Sequence, residues 1–200
     1  MAQDFRAIIS HSLTAADLPR LPDRLNKLVV DSRWSHPWKW DIGDDVPLEC
    51  ALQNCQIDLS GPTGIFLKVR KHCCVIATWN RWKAFLMDKK IRDAQRREIY
   101  DITSEFCSRR AIYLPDSGGG DEGRALDWFY ESNTATFDEL EARLRSFAGP
   151  PARLEDLVIQ QAHPPAHYKP GFMQSVLGEL AGPFYDFRNG YLLDDFADMV

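Results

Sequence analysis

Long apolar runs are absent from the 200-residue sequence, and this absence restricts the class of protein. No stretch approaches the roughly eighteen apolar residues that a membrane span requires, and the N-terminal segment lacks the apolar run of a secretory leader. Cysteine is scarce, and its odd count of five does not indicate a disulfide framework. We therefore expect a cytoplasmic protein with reduced thiols and no membrane partner.

Low-complexity sequence is lacking as well. Glycine and proline number only 12 each, while hydrophobic residues make up 44% and charged residues 26% of the chain. Such a composition excludes disordered, collagen-like and coiled-coil proteins. A chain of this length buries roughly 70% of its unfolded surface, enough for one core. The sequence thus predicts a single globular domain over residues 1–200.

Positive charge is too sparse overall for a general nucleic-acid binder. The net charge is -5, and the chain is asymmetric: residues 1–100 carry 16 basic against 12 acidic side chains, whereas residues 101–200 carry 8 against 17. The basic block lies between Lys68 and Arg97, and the acidic block between Asp116 and Glu141. With a pI near 5.5, the protein offers at most a local basic patch, so a nucleic-acid partner is not expected. The two blocks can steer a protein partner or face each other within the fold.

Hydrophobic alternation and turn residues predict a mostly antiparallel sheet. A first strand is expected over 5–12, followed by a three-strand meander over 48–60, 65–70 and 73–79, because the connections are short. The third meander strand is apolar on both faces, which is typical of a central strand. A further strand is expected over 110–114.

Helices are predicted between these strands. The regular spacing of leucines indicates a short helix from Pro22. A long helix is expected over 89–107, preceded by a short one capped by Asn80. Thr136 and Glu139 form a capping-box pattern before a helix of strong apolar periodicity. The segment 162–200 is rich in proline and irregular. The predicted fold class is therefore α+β, with helices packed on the sheet.

The most distinctive feature is a tryptophan-rich loop over 31–47, with a second aromatic and basic cluster at the start of the basic block. Interleaved indole rings and cations can stack on a base, a sugar or a partner's apolar side chain. The alternative is that some of these rings fasten the loop to the core. The candidate binding residues from these clusters are Trp34, Trp38, Trp40, Arg81 and Trp82.

A second candidate is the Gly/Asp-rich loop over 115–123, which contains the string G-x-G-x-x-G from Gly118 to Gly123. Two acids occupy the positions where a pyrophosphate would approach, which disfavours a dinucleotide site. Asp116, Asp121 and Glu122 offer oxygen ligands for Mg²⁺ or another divalent cation, but without the alternating spacing of a calcium loop. We expect a flexible surface loop without metal, whose acids contribute to a binding surface, and we keep the cation site as an alternative.

A zinc site is disfavoured by strand geometry. Cys73 and Cys74 are adjacent in a predicted strand, so their side chains point to opposite faces of the sheet. Cys50 and Cys55 are an odd number of positions apart, so within one regular strand they also point to opposite faces. His163 and His167 are separated by two prolines, which exclude a shared helix face. Buried thiols of this kind behave as small hydrophobes.

These observations predict a non-catalytic, acidic, cytoplasmic module that binds another protein, comparable to inhibitor- or immunity-type interaction proteins. The binding surface is expected to be acidic, tryptophan-lined or both. No catalytic motif was recognised, so the catalytic residues, if any, are unknown. The alternative is an enzyme for a phosphorylated or nucleotide-like small molecule, with a divalent ion at the 116–123 loop and Arg81, Lys83 or Arg110 on the phosphate.

Overall fold

Seven strands form one antiparallel sheet in the part of the chain that the computed structural model describes, which is residues 4–14, 16–28, 37–40, 57–61, 64–116, 120–159, 186–188 and 190–199. In spatial order the strands are β2 (Lys39–Trp40), β3 (Ile57–Ser60), β4 (Phe66–Val69), β5 (Cys73–Arg81), β1 (Asp4–Ser10), β6 (Ala111–Pro115) and β9 (Leu192–Asp194). Strands β7 (Val158–Ile159) and β8 (Asp186–Phe187) form a separate antiparallel pair.

Six helices accompany the sheet within the same ranges. They are α1 (Leu21–Leu28), α2 (Trp82–Met87), α3 (Lys89–Glu105), α4 (Asp121–Glu131), α5 (Phe137–Ala148) and α6 (Leu154–Leu157), and one 3-10 turn (Leu18–Arg20) precedes α1. The α+β class and the mostly antiparallel sheet are thus confirmed. No helix in these ranges is both long and apolar enough to span a bilayer.

The central position of β5 follows from its sequence. Its residues Cys73 to Ile76 are all buried, so both faces of this strand are covered, as in the middle of a sheet. It pairs with β4 on one side and with β1 on the other, and β3 pairs with β4. The predicted three-strand meander therefore corresponds to β3, β4 and β5, and residues 48–56 of its first predicted strand lie outside the described residues.

The sheet carries a hydrophobic core on each face because neighbouring residues of a strand point in opposite directions. In β1, Phe5, Ala7 and Ile9 join a core with α1, α2 and α3. Ile8 points the other way, into a second core with α4 and α5. We call these two sides the α1–α3 face and the α4–α5 face. Helices on both faces make a three-layer arrangement.

Helix starts agree with the capping chemistry in two of three cases. Thr136 and Glu139 make the complete capping box of α5. Asp88 caps α3 by accepting from the backbone N–H groups of Lys90 and Ile91. The expected Asn80 cap of α2 is wrong, because β5 continues through Asn80 and Arg81 occupies the cap position without a side-chain bond.

Trp38 fastens the described part of the tryptophan-rich loop to the core. Its ring is 5% exposed. The Asn26 side chain of α1 accepts from the Trp38 backbone N–H at 2.8 Å. A Cβ at Gly61 would lie 2.5 Å from the Trp38 ring, so only glycine lets the ring pack this closely against the β3–β4 connection.

Candidate functional site

A cleft lies on the α4–α5 face of the sheet. The outward residues Phe66 and Lys68 of β4 and Asp58 of β3 lie on this side of the sheet, next to the end of α4. The space between the end of α4 and these strands is a cleft of about 510 Å³. Cavities of this size fall in the range of roughly 300–1,000 Å³ typical of ligand sites. This cleft is the candidate site.

One row of residues across the sheet forms the cleft floor. Ala77 of β5 stands between Phe66 of β4 and Arg6 of β1 in the strand register. Because neighbouring strands lie about 4.8 Å apart, Phe66 and Arg6 begin roughly 10 Å from each other. The methyl group of Ala77 fills little of the space between them, so the floor is open at its centre.

Two exposed aromatic residues border the cleft. Phe66 is 40% exposed and Tyr130, in the last turn of α4, is 38% exposed. The third exposed large hydrophobic residue of the described ranges, Met87, lies at the end of α2 and does not line the cleft. Exposed aromatic residues surrounded by polar residues are typical of interaction hot spots.

Three ion pairs surround these rings. Arg6 pairs with Asp116, Arg81 pairs with Asp4, and Lys68 lies 3.7 Å from Asp58. The backbone N–H of Asp116 also donates to the Asp4 carbonyl at 2.8 Å. The structure therefore brings two sequence-predicted residues, Asp116 and Arg81, to one end of the cleft.

The two predicted tryptophans whose side chains are described, Trp38 and Trp82, lie elsewhere. Trp82 is 2% exposed and stacks on Phe85 with ring centres 5.7 Å apart. Trp82 and Trp38 both belong to the core of the α1–α3 face, so neither ring offers a surface to a partner. Trp34 and the side chain of Trp40 lie outside the described residues, and their predicted role stays a prediction.

The two remaining candidate acids, Asp121 and Glu122, both lie in the first turn of α4 but point in different directions. The helix begins at Asp121, so the loop predicted over 115–123 is shorter than expected. Asp121 is exposed, whereas Glu122 is 1% exposed on the side of α4 that packs on the sheet with Ala125 and Phe129. Burial raises the pKa of Glu122. Its Oε1 atom has no hydrogen-bond partner among the described residues.

These positions do not assemble a cation site. Asp116 already pairs with Arg6, and Glu122 is buried under its helix. Within the described ranges, no three His, Cys, Asp or Glu side chains lie close enough to hold a metal ion. Gly118 and Gly119 of the glycine string lie outside those ranges, while Gly123 is inside α4.

The thiols of β5 are structural. Cys73 lies in the core of the α4–α5 face and Cys74 in that of the α1–α3 face, as strand parity requires. Burial raises the pKa of Cys73 to about 12, so its thiol stays protonated and unreactive at neutral pH. Cys50, Cys55, His163 and His167 lie outside the described residues.

Most of the basic block is engaged inside the chain. Arg92 donates to the carbonyls of Phe85 and Leu86 at the end of α2. Arg96 makes bidentate pairs with Asp194 and Asp198, which hold the C-terminal strand against α3. The acidic block is likewise partly paired, since Arg110 contacts Asp138 and Glu141. Many charged side chains of both blocks therefore make hydrogen bonds and ion pairs within the chain that stabilise the fold.

Arg70 holds the last turn of α4, which carries Tyr130, one of the two aromatic residues that border the cleft. The residue is 5% exposed, and its guanidinium donates to the carbonyls of Phe129 at 2.9 Å, Tyr130 at 3.2 Å and Ser132 at 3.0 Å. A cation at the carbonyl end of a helix is favoured by the helix dipole. The guanidinium also lies 4.9 Å from the Phe129 ring centre. Arg70 thus ties the β4–β5 turn to the turn of α4 that carries Tyr130.

His11 holds the same β4–β5 turn from the other side. Its Nδ1 accepts from the Leu13 N–H at 3.1 Å, which leaves Nε2 to donate to the Arg70 carbonyl at 2.6 Å. This arrangement requires the neutral ring. Burial lowers the pKa of His11, in the same direction.

Stability is expected to fall as the pH drops through the ordinary histidine pKa, near 6.5. Above that value His11 is neutral in both the folded and the unfolded chain. Below it the unfolded chain takes up a proton that the folded chain resists, so one group contributes a slope of at most about 1.4 kcal/mol per pH unit until the folded pKa is reached. Denaturant unfolding at pH 7 and pH 5 measures this. The drop should be smaller in His11→Gln; an equal drop in His11→Gln would contradict the assignment.

The residues that sequence reasoning missed are Phe66, Tyr130, Asp4, Arg6 and Asp58. One signal for Phe66 was available: it is the apolar residue in the otherwise polar phase of an alternating strand. Comparison of the chain with protein-family models, curated proteins and solved structures finds no match. The function must therefore be inferred from the residues of the cleft.

Proposed function

We propose that this chain is a non-catalytic, cytoplasmic protein-binding module whose binding surface is the cleft between Phe66 and Tyr130. One observation carries the proposal: two of the three exposed large hydrophobic side chains in the described ranges line this single concave surface. Burial of aromatic side chains in a partner's pocket supplies most of the energy at many interfaces. The thiols of Cys73, Cys74 and Cys107 are free, in keeping with a reducing compartment.

The ion pairs around the rings support binding rather than catalysis. Each charged side chain of the cleft is neutralised by a partner of the same chain, as Arg6 is by Asp116. A polar rim of this kind excludes water around central aromatic anchors and sets the orientation of a partner. The role proposed for the acids is thus that of a rim, with the aromatic side chains as anchors.

Affinity capture from the native cell extract tests this proposal. The wild-type chain, Phe66→Ala, Tyr130→Ala and Met87→Ala are immobilised in parallel, and the retained proteins are quantified by mass spectrometry. We expect a protein retained by the wild type to be lost with either cleft variant, by about 30-fold in affinity for a hot-spot side chain of 2 kcal/mol. Met87→Ala removes an equally exposed side chain outside the cleft and should retain it.

Ala77→Leu supplies a complementary variant, because it adds bulk at the open centre of the floor without removing a contact. It should abolish capture while circular dichroism stays unchanged. Equal capture by all variants would contradict the proposal. A rise in melting temperature with nucleotides and Mg²⁺, lost in Ala77→Leu, would instead favour the enzyme alternative, because a ligand of the folded state stabilises it by mass action.

A further inference from the structure

The cleft is lined by carboxylates that are more accessible than its arginine. Asp4, Asp58 and Asp116 have side chains exposed by 39%, 44% and 41%, whereas the side chain of Arg6 is 20% exposed. Lys68, the other cation among the described lining residues, is 44% exposed, as much as Asp58. The surface that a visiting group meets is therefore more negative than the residue count suggests, and the net charge of -5 adds to the same field.

Hydrogen-bonding capacity in the cleft is also unequal. Two of these ion pairs have a hydrogen bond to one carboxylate oxygen, Oδ2 in Asp116 and Oδ1 in Asp4, and the Lys68 ammonium lies 3.7 Å from Oδ1 of Asp58. A carboxylate offers about four lone-pair positions on its two oxygens, so every one of these acids keeps acceptor capacity. Arg6, in contrast, already donates through both terminal nitrogens, to the Phe5 carbonyl and to Asp116. The cleft is thus richer in acceptors than in donors.

The aromatic rings of Phe66 and Tyr130 favour a hydrogen-bond donor that carries a positive charge. A guanidinium or an ammonium group is attracted to the face of a tyrosine or phenylalanine ring, and a guanidinium can also bind a carboxylate through two parallel hydrogen bonds. Phe66 and Tyr130 supply the rings, and Asp58 and Asp116 supply the carboxylates of the same cleft. An acidic group would meet three carboxylates, and an aliphatic group would make no use of the acceptor capacity that these paired carboxylates keep.

We propose that the partner enters this cleft with a basic side chain, preferably arginine, which stacks on Phe66 or Tyr130 and is bound by Asp58 and Asp116. This inference rests on the proposed function and adds the chemical class of the partner's contact residue. It predicts a basic surface on the partner and binding that weakens with salt.

Titration with blocked amino acids tests the inference without the partner. The probes are N-acetylarginine amide, its uncharged isostere N-acetylcitrulline amide, and N-acetylleucine amide, each followed by amide chemical shifts of the isotope-labelled chain. We expect the arginine probe to shift the Ala77 and Tyr130 signals and to bind about tenfold tighter than citrulline. Leucine should bind no better than citrulline.

Charge-removing variants locate the site. Asp58→Asn with Asp116→Asn should reduce the arginine affinity by about tenfold and leave citrulline unchanged, while Asp127→Asn, an exposed acid on α4 outside the cleft, should have no effect. Where the double variant fails to fold, Asp58→Asn alone keeps the Arg6–Asp116 pair and should still weaken arginine binding severalfold.

The outcomes separate this inference from the proposed function. Citrulline or leucine binding as tightly as arginine, or no binding of any probe, would overturn the basic contact, and the capture experiment with Ala77→Leu would still decide whether the cleft binds a protein. Conversely, arginine binding at Ala77 together with capture that Ala77→Leu leaves unchanged would preserve the basic contact and reject the proposed function.

Discussion

Trp82→Ala is expected to destabilise the fold by about 3–5 kcal/mol, the usual cost of truncating a buried tryptophan. The ring is 2% exposed between Phe85 and Phe5, with its plane only 7° from that of Phe85. Removal leaves a cavity in the core of the α1–α3 face, which a short helix such as α2 has little means to close. Urea unfolding followed by far-ultraviolet circular dichroism measures the change.

Met87→Ala is the matched control because it truncates a large side chain of the same helix that is 37% exposed. Its effect should stay within about 0.5 kcal/mol. A Trp82→Ala protein as stable as the wild type but unable to capture a partner would contradict this assignment. It would place the indole ring on the binding surface, as one interpretation of the sequence proposed.

Arg70→Met is expected to cost about 3 kcal/mol, because the three carbonyls at the end of α4 would lose a charged donor whose side chain is buried. Methionine keeps much of the side-chain length, so the loss isolates the guanidinium. Arg70→Lys should recover part of the stability, since the ammonium retains the charge but lacks the planar fork. Tyr130 should become more mobile in both variants, because its turn loses this anchor.

The control for Arg70 is Arg97→Met on the exposed surface of α3, where a change within about 0.5 kcal/mol is expected. Denaturant unfolding gives the stabilities, and relaxation of the Tyr130 amide reports the mobility of the end of α4. If Arg70→Met unfolds at the same denaturant concentration as Arg97→Met, the carbonyl contacts contribute little and the anchor role of Arg70 is rejected.

Local patterns predicted those parts of the fold that depend on nearby residues. The Thr136–Glu139 capping box, the central strand β5 and the two-faced parity of Cys73 and Cys74 all follow from chemistry within a few residues. Asn80 failed as a cap because pairing with the sheet extends β5 past it, and no local propensity records that pairing.

The candidate site was less accessible to sequence reasoning because it depends on where α4 ends relative to β4. Phe66 and Tyr130 are 64 positions apart in the chain and meet only because α4 ends beside β4. Burial of Trp38 depends on a glycine and an asparagine that lie in other elements. Asp116 and Arg81 were nominated by charge, but their contacts with Arg6 and Asp4 required the strand register.

The most direct measurement places a photoreactive benzoylphenylalanine at position 130 and, as a matched control, at position 87 in the native cell. Both positions are similarly exposed, but only residue 130 lines the cleft. We expect a cross-linked protein from position 130 that is absent with Ala77→Leu and is not formed from position 87. A cross-link from position 87 alone, or one from position 130 that Ala77→Leu does not reduce, would contradict the proposed function.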